Sequence, residues 1–286
     1  MKISISPAEI TEQLWNKCSY YCSDEMAHTL SVAIDLGRPI LVEGPPGGGK
    51  TEVAKALSQL FDFDLIRLQC YEGLDESKAL YEWNYQKQII DIQKSKGASV
   101  FGKEYILPRP LLKALLNEDM SVLLIDEIDK VDPEFEAFLM EILSDFQISI
   151  PEYGTVIARE VPIVILTSNA TRDLGDALRR RCVFLYVDFL PVNQEASIYI
   201  KKTEGLKPLL SLEIAQSMRM LRDDLPLLKQ PSVSEGLDLA YAAVREGIDS
   251  VTHKFLNKNI SLYLKTREDQ LQFEKKGGGK WVLQNL

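Results

Sequence analysis

Eight residues limit what this chain can fold into more than any others: Gly44-Pro45-Pro46-Gly47-Gly48-Gly49-Lys50-Thr51. A short apolar run, Ile40-Leu41-Val42, leads into them, and Thr51-Glu52-Val53-Ala54-Lys55-Ala56-Leu57 leads out with helical spacing. Strand, glycine turn and helix are the context in which G-x-x-x-x-G-K-[ST] becomes a phosphate site. The glycines Gly44, Gly47, Gly48 and Gly49 let backbone N–H groups converge on phosphate oxygens, because no Cβ blocks the approach. The helix N-terminus adds free N–H groups and partial positive charge. Lys50 is then expected to reach the β- and γ-phosphates, and the Thr51 hydroxyl to ligate Mg²⁺.

A second signal makes the first specific. Val122-Leu123-Leu124-Ile125 is a continuous apolar run that ends in Asp126-Glu127, the pattern of a buried parallel strand with its polar end at the sheet's C-terminal edge. In an open α/β sheet that edge is where ligands sit. Asp126 is expected to complete the magnesium shell begun by Thr51, and Glu127 to orient a water for in-line attack on the γ-phosphate. A further buried strand, Ile163–Ser168, ends at Asn169, whose amide is suited to the attacking water or the γ-phosphate. Leu174–Cys182 reads as a short helix carrying Arg179-Arg180-Arg181, followed by a fifth strand at Val183–Val187. The arginines suit a solvated helix end, and equally a cation offered to a phosphate across a subunit interface.

The remaining stretches read less sharply. Residues 6–37 are helical in pattern and end on Gly37, and Leu65–Cys70 is a strand. Tyr71–Tyr85 is too polar for a buried strand and too aromatic for a plain linker. It suits a loop or hairpin on the surface, or a projecting insertion that contacts a client or a central pore. Lys94–Gly97 reads as an exposed turn. Asp132-Pro133 marks a helix start, and Gln147–Arg159 a β-hairpin turning on Pro151-Glu152-Tyr153-Gly154. Gly277-Gly278-Gly279-Lys280 copies the end of the phosphate loop without its hydroxyl residue. It reads as a flexible turn before a short docking strand at Trp281-Val282-Leu283.

Composition narrows the class. A chain of 286 residues with 45% hydrophobic and 26% charged residues can build one large or two ordinary soluble domains. A net charge of -9 argues against a general binder of nucleic acid or membrane. The start, Met1–Pro7, lacks a signal-peptide apolar core, and no run reaches transmembrane length, so the expected location is cytoplasmic. Four cysteines are too few for a disulfide scaffold. Cys18 and Cys22, four apart on an expected helix, have no partners at zinc spacing. No Asn-Lys-x-Asp guanine-reading sequence is present: Asn16-Lys17-Cys18-Ser19 breaks it.

Gly44–Thr51, Asp126-Glu127, Ser168-Asn169 and the arginines before the last strand stand in the order of AAA+ ATPases, which the chain resembles to about residue 250. The hairpin is similar to the pre-sensor hairpin, and residues 71–93 to the insertion of the MoxR branch. Arg67–Asp75 with Tyr81–Tyr85 resembles its CoxD-like group.

The resemblance implies an α/β P-loop core over residues 1–190 with a five-stranded parallel sheet in the order 5-1-4-3-2. It also implies a small α-helical lid over 191–254 and a C-terminal extension over 255–286. It makes Asn169 the sensor-1 residue and Arg181 the trans-acting finger, with Arg180 second. Ser234 stands where many relatives carry the sensor-2 arginine, leaving Arg222 or Lys229 as substitutes. It further implies an ATP- and Mg²⁺-dependent hydrolase in a homo-oligomeric, hexameric ring that remodels a protein client. Maturation of a metalloenzyme follows for this branch, such as molybdenum hydroxylase or carbon monoxide dehydrogenase cofactor assembly, with a von Willebrand factor A-domain partner. A DNA-acting motor or clamp loader and a non-hydrolysing nucleotide-dependent scaffold are the alternatives.

Overall fold

A computed structural model describes residues 5–94 and 100–286 of the chain. It divides into two compact units. The first runs to Tyr186 and the second covers Val187–Leu286, with Ser19–Tyr21 and Pro45–Gly49 grouped with the second.

The first unit opens with helices α1 (Pro7–Cys18) and α2 (Asp24–Leu36). Ser23 caps α2 at its start, and Gly37 closes it in the left-handed region at φ 62°, a conformation glycine adopts without steric cost. Strand β1 (Ile40–Glu43) leads through the glycine loop to α3 (Lys50–Phe61), then β2 (Asp64–Gln69). The aromatic-rich stretch becomes α4 (Glu76–Ala79), β3 (Tyr81–Trp83) and α5 (Tyr85–Lys94), with β4 (Ile106–Pro108) returning antiparallel to β3. It is therefore more ordered than a loop. Trp83 stacks edge-on with Tyr81 and Phe101 and anchors the ribbon. The expected turn at Lys94–Gly97 falls mostly outside the described residues.

Next come α6 (Pro110–Leu116), β5 (Ser121–Asp126), α7 (Pro133–Asp145), β6 (Gln147–Ile150) and β7 (Gly154–Ile157). Strand β8 (Ile163–Ser168), α8 (Asp176–Arg181) and β9 (Val183–Tyr186) complete the unit. The sheet order is β2-β5-β8-β1-β9, with every neighbouring pair parallel. Counting only these five strands, that is 5-1-4-3-2 read from the far edge, as the sequence implied. Strands β1, β5 and β8 are buried along their whole length, which is why they read as unbroken apolar runs. Edge strand β2 buries only Leu68 fully. One sheet face, with Leu41, Leu123, Ile125, Val164 and Leu166, packs against α6 and α7 through Leu111, Leu115, Phe135 and Leu139. Strands β6 and β7 pair antiparallel as the expected hairpin, with Ile148 opposite Val156.

The second unit is helical: α9 (Val192–Lys202), α10 (Pro208–Asp224), α11 (Val233–Glu246), α12 (His253–Lys258), α13 (Ile260–Tyr263), α14 (Arg267–Lys276) and α15 (Gly279–Asn285). Its core joins Tyr199, Ile214, Met218 and Leu239 to Phe255, Tyr263, Phe273 and Val282, so the chain from Phe255 onward shares one interior with the rest of the unit.

Two expectations are corrected here. Trp281-Val282-Leu283 is helix, not a docking strand: Gly277 ends α14 at φ 115°, and the Asn257 side chain accepts the Gly279 N–H at 2.9 Å, starting α15. Cys18 and Cys22 do not share a helix, because α1 ends at Cys18 and Cys22 lies in the link before α2. No helix among the described residues is long and apolar enough to cross a membrane.

Candidate nucleotide site

The parallel sheet brings the C-terminal ends of β1, β5 and β8 side by side, and the candidate residues lie along that edge. The glycine loop follows β1. Gly44, Gly47 and Gly49 sit at φ 156°, 80° and 93°, values that a Cβ would oppose, and Gly48 N–H closes a turn on the Pro45 carbonyl at 3.1 Å. Pro46 and Gly47 are the exposed members of the loop. Lys50 opens α3, is buried, and donates to the Gly44 carbonyl at 2.8 Å. Burial pulls its pKa below the ordinary lysine value, against the opposing field of Asp129, Asp126 and Glu127.

Asp126 ends β5 and is 3% exposed. Its Oδ1 accepts from the Thr51 hydroxyl at 3.0 Å and the Thr167 hydroxyl at 2.5 Å, while Oδ2 takes the Arg67 guanidinium at 2.5 Å. The Thr51 hydroxyl and Asp126 carboxylate are hard oxygen donors in contact, and suit Mg²⁺, which keeps waters and phosphate oxygens in its shell. Among the described residues no group of three or more His, Cys, Asp or Glu could hold a metal ion.

Glu127 follows at φ 61°, in the left-handed region, which turns its side chain off the strand. Its N–H donates to the Thr167 hydroxyl at 2.9 Å, so one threonine on β8 fixes both acidic residues. Its carboxylate accepts from Gln69 at 2.8 Å and Lys130 at 2.6 Å. Asn169 follows the last residue of β8 and is half-buried. The segment after it is pinned by Asp129, whose Oδ2 accepts from the Thr171 N–H and hydroxyl at 3.1 and 2.6 Å. Burial opposes the Asp129 charge, but the bonds from Thr171 and from the Asn169 backbone outweigh it and hold the pKa below the usual carboxylate range.

Residues 39–182 match the family model described as an AAA domain of the dynein-related subfamily, half of the chain. The chain belongs to this AAA family. Two relatives are "uncharacterized" proteins of Staphylococcus aureus. SAB1265c of strain bovine RF122 / ET3-1 is 31% identical over 209 residues, 70% of this chain and 73% of its own length. SAOUHSC_01413 of strain NCTC 8325 / PS 47 is 30% identical over the same shares. The chain's fold is similar to that of a point mutant of RuvB from Thermotoga maritima, with a TM-score of 0.54 at 17% identity, covering 91% of this chain and 77% of that one.

Within this AAA domain the three arginines of α8 divide by role. Arg179 pairs with the buried Glu43 at 2.7 Å, whereas the side chains of Arg180 and Arg181 are exposed and have no partner among the described residues. In the helical unit, Arg222 is not the free cation that a substitute for the sensor-2 arginine requires. It is 2% exposed and makes two bonds of 2.7 Å to Glu195, itself fully buried, with a third to the Pro231 carbonyl. Burial opposes its charge, yet Glu195 raises its pKa above the ordinary arginine value.

Sequence reasoning missed Thr167, Arg67, Gln69, Asp129 and Glu43. A threonine in a β-branched run reads as a strand former. Arg67 and Gln69 alternate on an edge strand, and only the pairing of Gln69 with Asp126 across β2 and β5 brings them to the acids. The available signal for Asp129 was its place three residues after Asp126.

Proposed function

We propose that the chain binds ATP with Mg²⁺ at Gly44–Thr51 and hydrolyses it to drive work on a protein client. The observation that carries the reading is the path Thr51–Asp126–Thr167–Glu127, which ties the end of the phosphate loop to both acidic residues. Thr51 and Asp126 would hold the ion, which when bound neutralises phosphate charge and orients the nucleotide. Lys50 would contact the β- and γ-phosphates, and Asn169 the attacking water or the γ-phosphate. Glu127 orients that water: its oxygen bonds to the γ-phosphorus as the bond to the ADP oxygen breaks, and its proton passes to the carboxylate. Gln69 and Lys130 both donate to Glu127 Oε2, which leaves Oε1 as the carboxylate oxygen to hold that water.

Arg181, with Arg180 second, completes the site of a neighbouring copy in a homo-oligomeric ring, a hexamer on the MoxR resemblance. The client reading is supported by α5, which exposes Tyr85, Ile89, Ile90 and Ile92, each about half or more accessible. The CoxD-like resemblance directs it to cofactor assembly in a molybdenum hydroxylase or carbon monoxide dehydrogenase, with a von Willebrand factor A-domain partner.

The test is Glu127→Gln. The variant should keep ATP affinity and lose turnover by about two orders of magnitude or more, and should retain the protein client during affinity capture in ATP. Unchanged turnover would remove Glu127 from catalysis. Capture of nucleic acid with DNA-stimulated turnover would favour a DNA-acting motor.

A further inference from the structure

Helix α8 is six residues long, too short to hold its shape by its own hydrogen bonds. Three side chains from elsewhere in the unit grip it. At its C-terminal end the Arg38 guanidinium donates to the carbonyl of Arg181 at 3.0 Å, of Arg180 at 2.5 Å and of Cys182 at 3.5 Å. The last carbonyls of a helix lack partners within it, and a cation placed there satisfies them and suits the helix dipole. In its middle, Arg179 is drawn to Glu43 at 2.7 Å. At its start, the buried Glu136 of α7 accepts the Gly175 N–H at 2.8 Å and pairs with Arg172.

Arg38 is itself fixed, because its N–H closes on the Ala33 carbonyl at 3.1 Å beyond the Gly37 cap, and the Val183 N–H closes on the neighbouring Pro39 carbonyl at 2.8 Å. What this grip leaves outward is Arg180 and Arg181, exposed and unpaired among the described residues.

We propose that Arg38 and Glu43 are positioning residues that fix α8 so that Arg181 or Arg180 reaches the nucleotide of an adjoining copy, and that Arg179 is a tether and not a donor. This rests on the reading of α8 as the supplier of a trans-acting arginine. Glu43 immediately precedes Gly44, so the same ion pair that holds α8 also anchors it to the root of the chain's own phosphate loop. The arginine that a copy offers outward is registered on the loop that binds its own nucleotide.

The test is complementation between full-length copies. Arg38→Gln alone should lower ATP turnover at least tenfold, with the affinity for a fluorescent ATP analogue within twofold of the parent. Glu127→Gln copies keep an intact α8 but have a dead site. Mixed one to one, the two should recover about a quarter of parental turnover, because a random ring places an intact site beside an intact donor at one interface in four. Glu43→Gln, which keeps the size of the side chain, should behave in the same way if Arg38→Gln does not fold.

An Arg181→Ala plus Arg180→Ala variant mixed with Glu127→Gln is the reference. If that mixture recovers and the Arg38 and Glu43 mixtures do not, the positioning role is wrong. Parental turnover in both single variants would overturn it too. If the reference mixture fails to recover, the trans-acting reading falls, and this inference with it.

Discussion

Replacing Arg222 by alanine should damage the helical unit far more than it changes nucleotide binding. The structure sets the size of the effect. Arg222 and Glu195 are 2% and 0% exposed, and the guanidinium gives Glu195 both of its arginine bonds while Nε serves Pro231. Its cationic carbon also lies 4.5 Å from the centre of the Phe189 ring. Removing one partner of a buried pair leaves the other charge uncompensated, at a cost of about 3–5 kcal/mol. The Tyr199 hydroxyl still donates to Glu195 but cannot replace a charge.

Hydrogen exchange read peptide by peptide is the suitable assay, because the two units need not unfold together. Amides of α9 and α10 should exchange roughly two to four orders of magnitude faster, with the first unit little changed. A double Arg222→Met, Glu195→Leu variant removes the charge imbalance. It should cost only about 1–3 kcal/mol, mainly for the Pro231 carbonyl and Tyr199 hydroxyl that lose partners. The reasoning is refuted if exchange in α9 and α10 stays within about threefold of the parent, or if the double variant is no better than the single. A fall in ATP affinity with protection unchanged would restore Arg222 as a nucleotide contact.

Other expectations follow from single contacts. Thr167→Val deletes the hydroxyl shared by Asp126 and the Glu127 N–H, and should lower turnover about tenfold, or about 1.4 kcal/mol, in steady-state assays, with KM for ATP little changed. Gly236→Ala places a Cβ 1.7 Å from the hydroxyl of the fully buried Tyr199, and should destabilise the helical unit by about 1–3 kcal/mol or more in urea titrations. Burial pushes the thiols of Cys22, Cys70 and Cys182 up to about 12, so a thiolate-seeking reagent at pH 8 should leave all three unmodified until the protein unfolds. Asp129, held below its ordinary pKa, contributes stability that is present above the unfolded carboxylate value and lost as pH falls through the folded one. Asp129→Asn should therefore flatten the acid limb of a stability profile.

The parts of this fold that were legible were those where one local pattern carries the whole instruction. A parallel strand buried on both faces is an unbroken apolar run, so β5 and β8 announced themselves, and their polar ends marked the sheet edge. The glycine loop carried its own backbone requirement. The contacts that orient the acids were not legible, because their partners come from other strands: Arg67 lies 59 residues before Asp126, and Thr167 lies 41 after it. Trp281-Val282-Leu283 misled because three apolar residues after glycines fit a strand as well as a helix. The side chain of Asn257, which starts α15, is 22 residues away in sequence. Arg222 looked like an available cation because nothing nearby in sequence showed that Glu195 would enclose it.

The left-handed backbone at Glu127 carries an implication for how this position can vary. A residue at φ 61° without glycine's freedom holds conformational energy of order 1–3 kcal/mol. On the role proposed for its carboxylate, tolerance there is governed twice, by the side chain for turnover and by the main chain for shape, and the two rank replacements differently. Glycine and asparagine should relax the backbone and raise the melting temperature while lowering ATP turnover. Valine and isoleucine should harm both. A saturation library scored separately for folding and for turnover would split at this residue into two unlike rankings. That divergence would mark Glu127 as a place where the chain trades stability for activity.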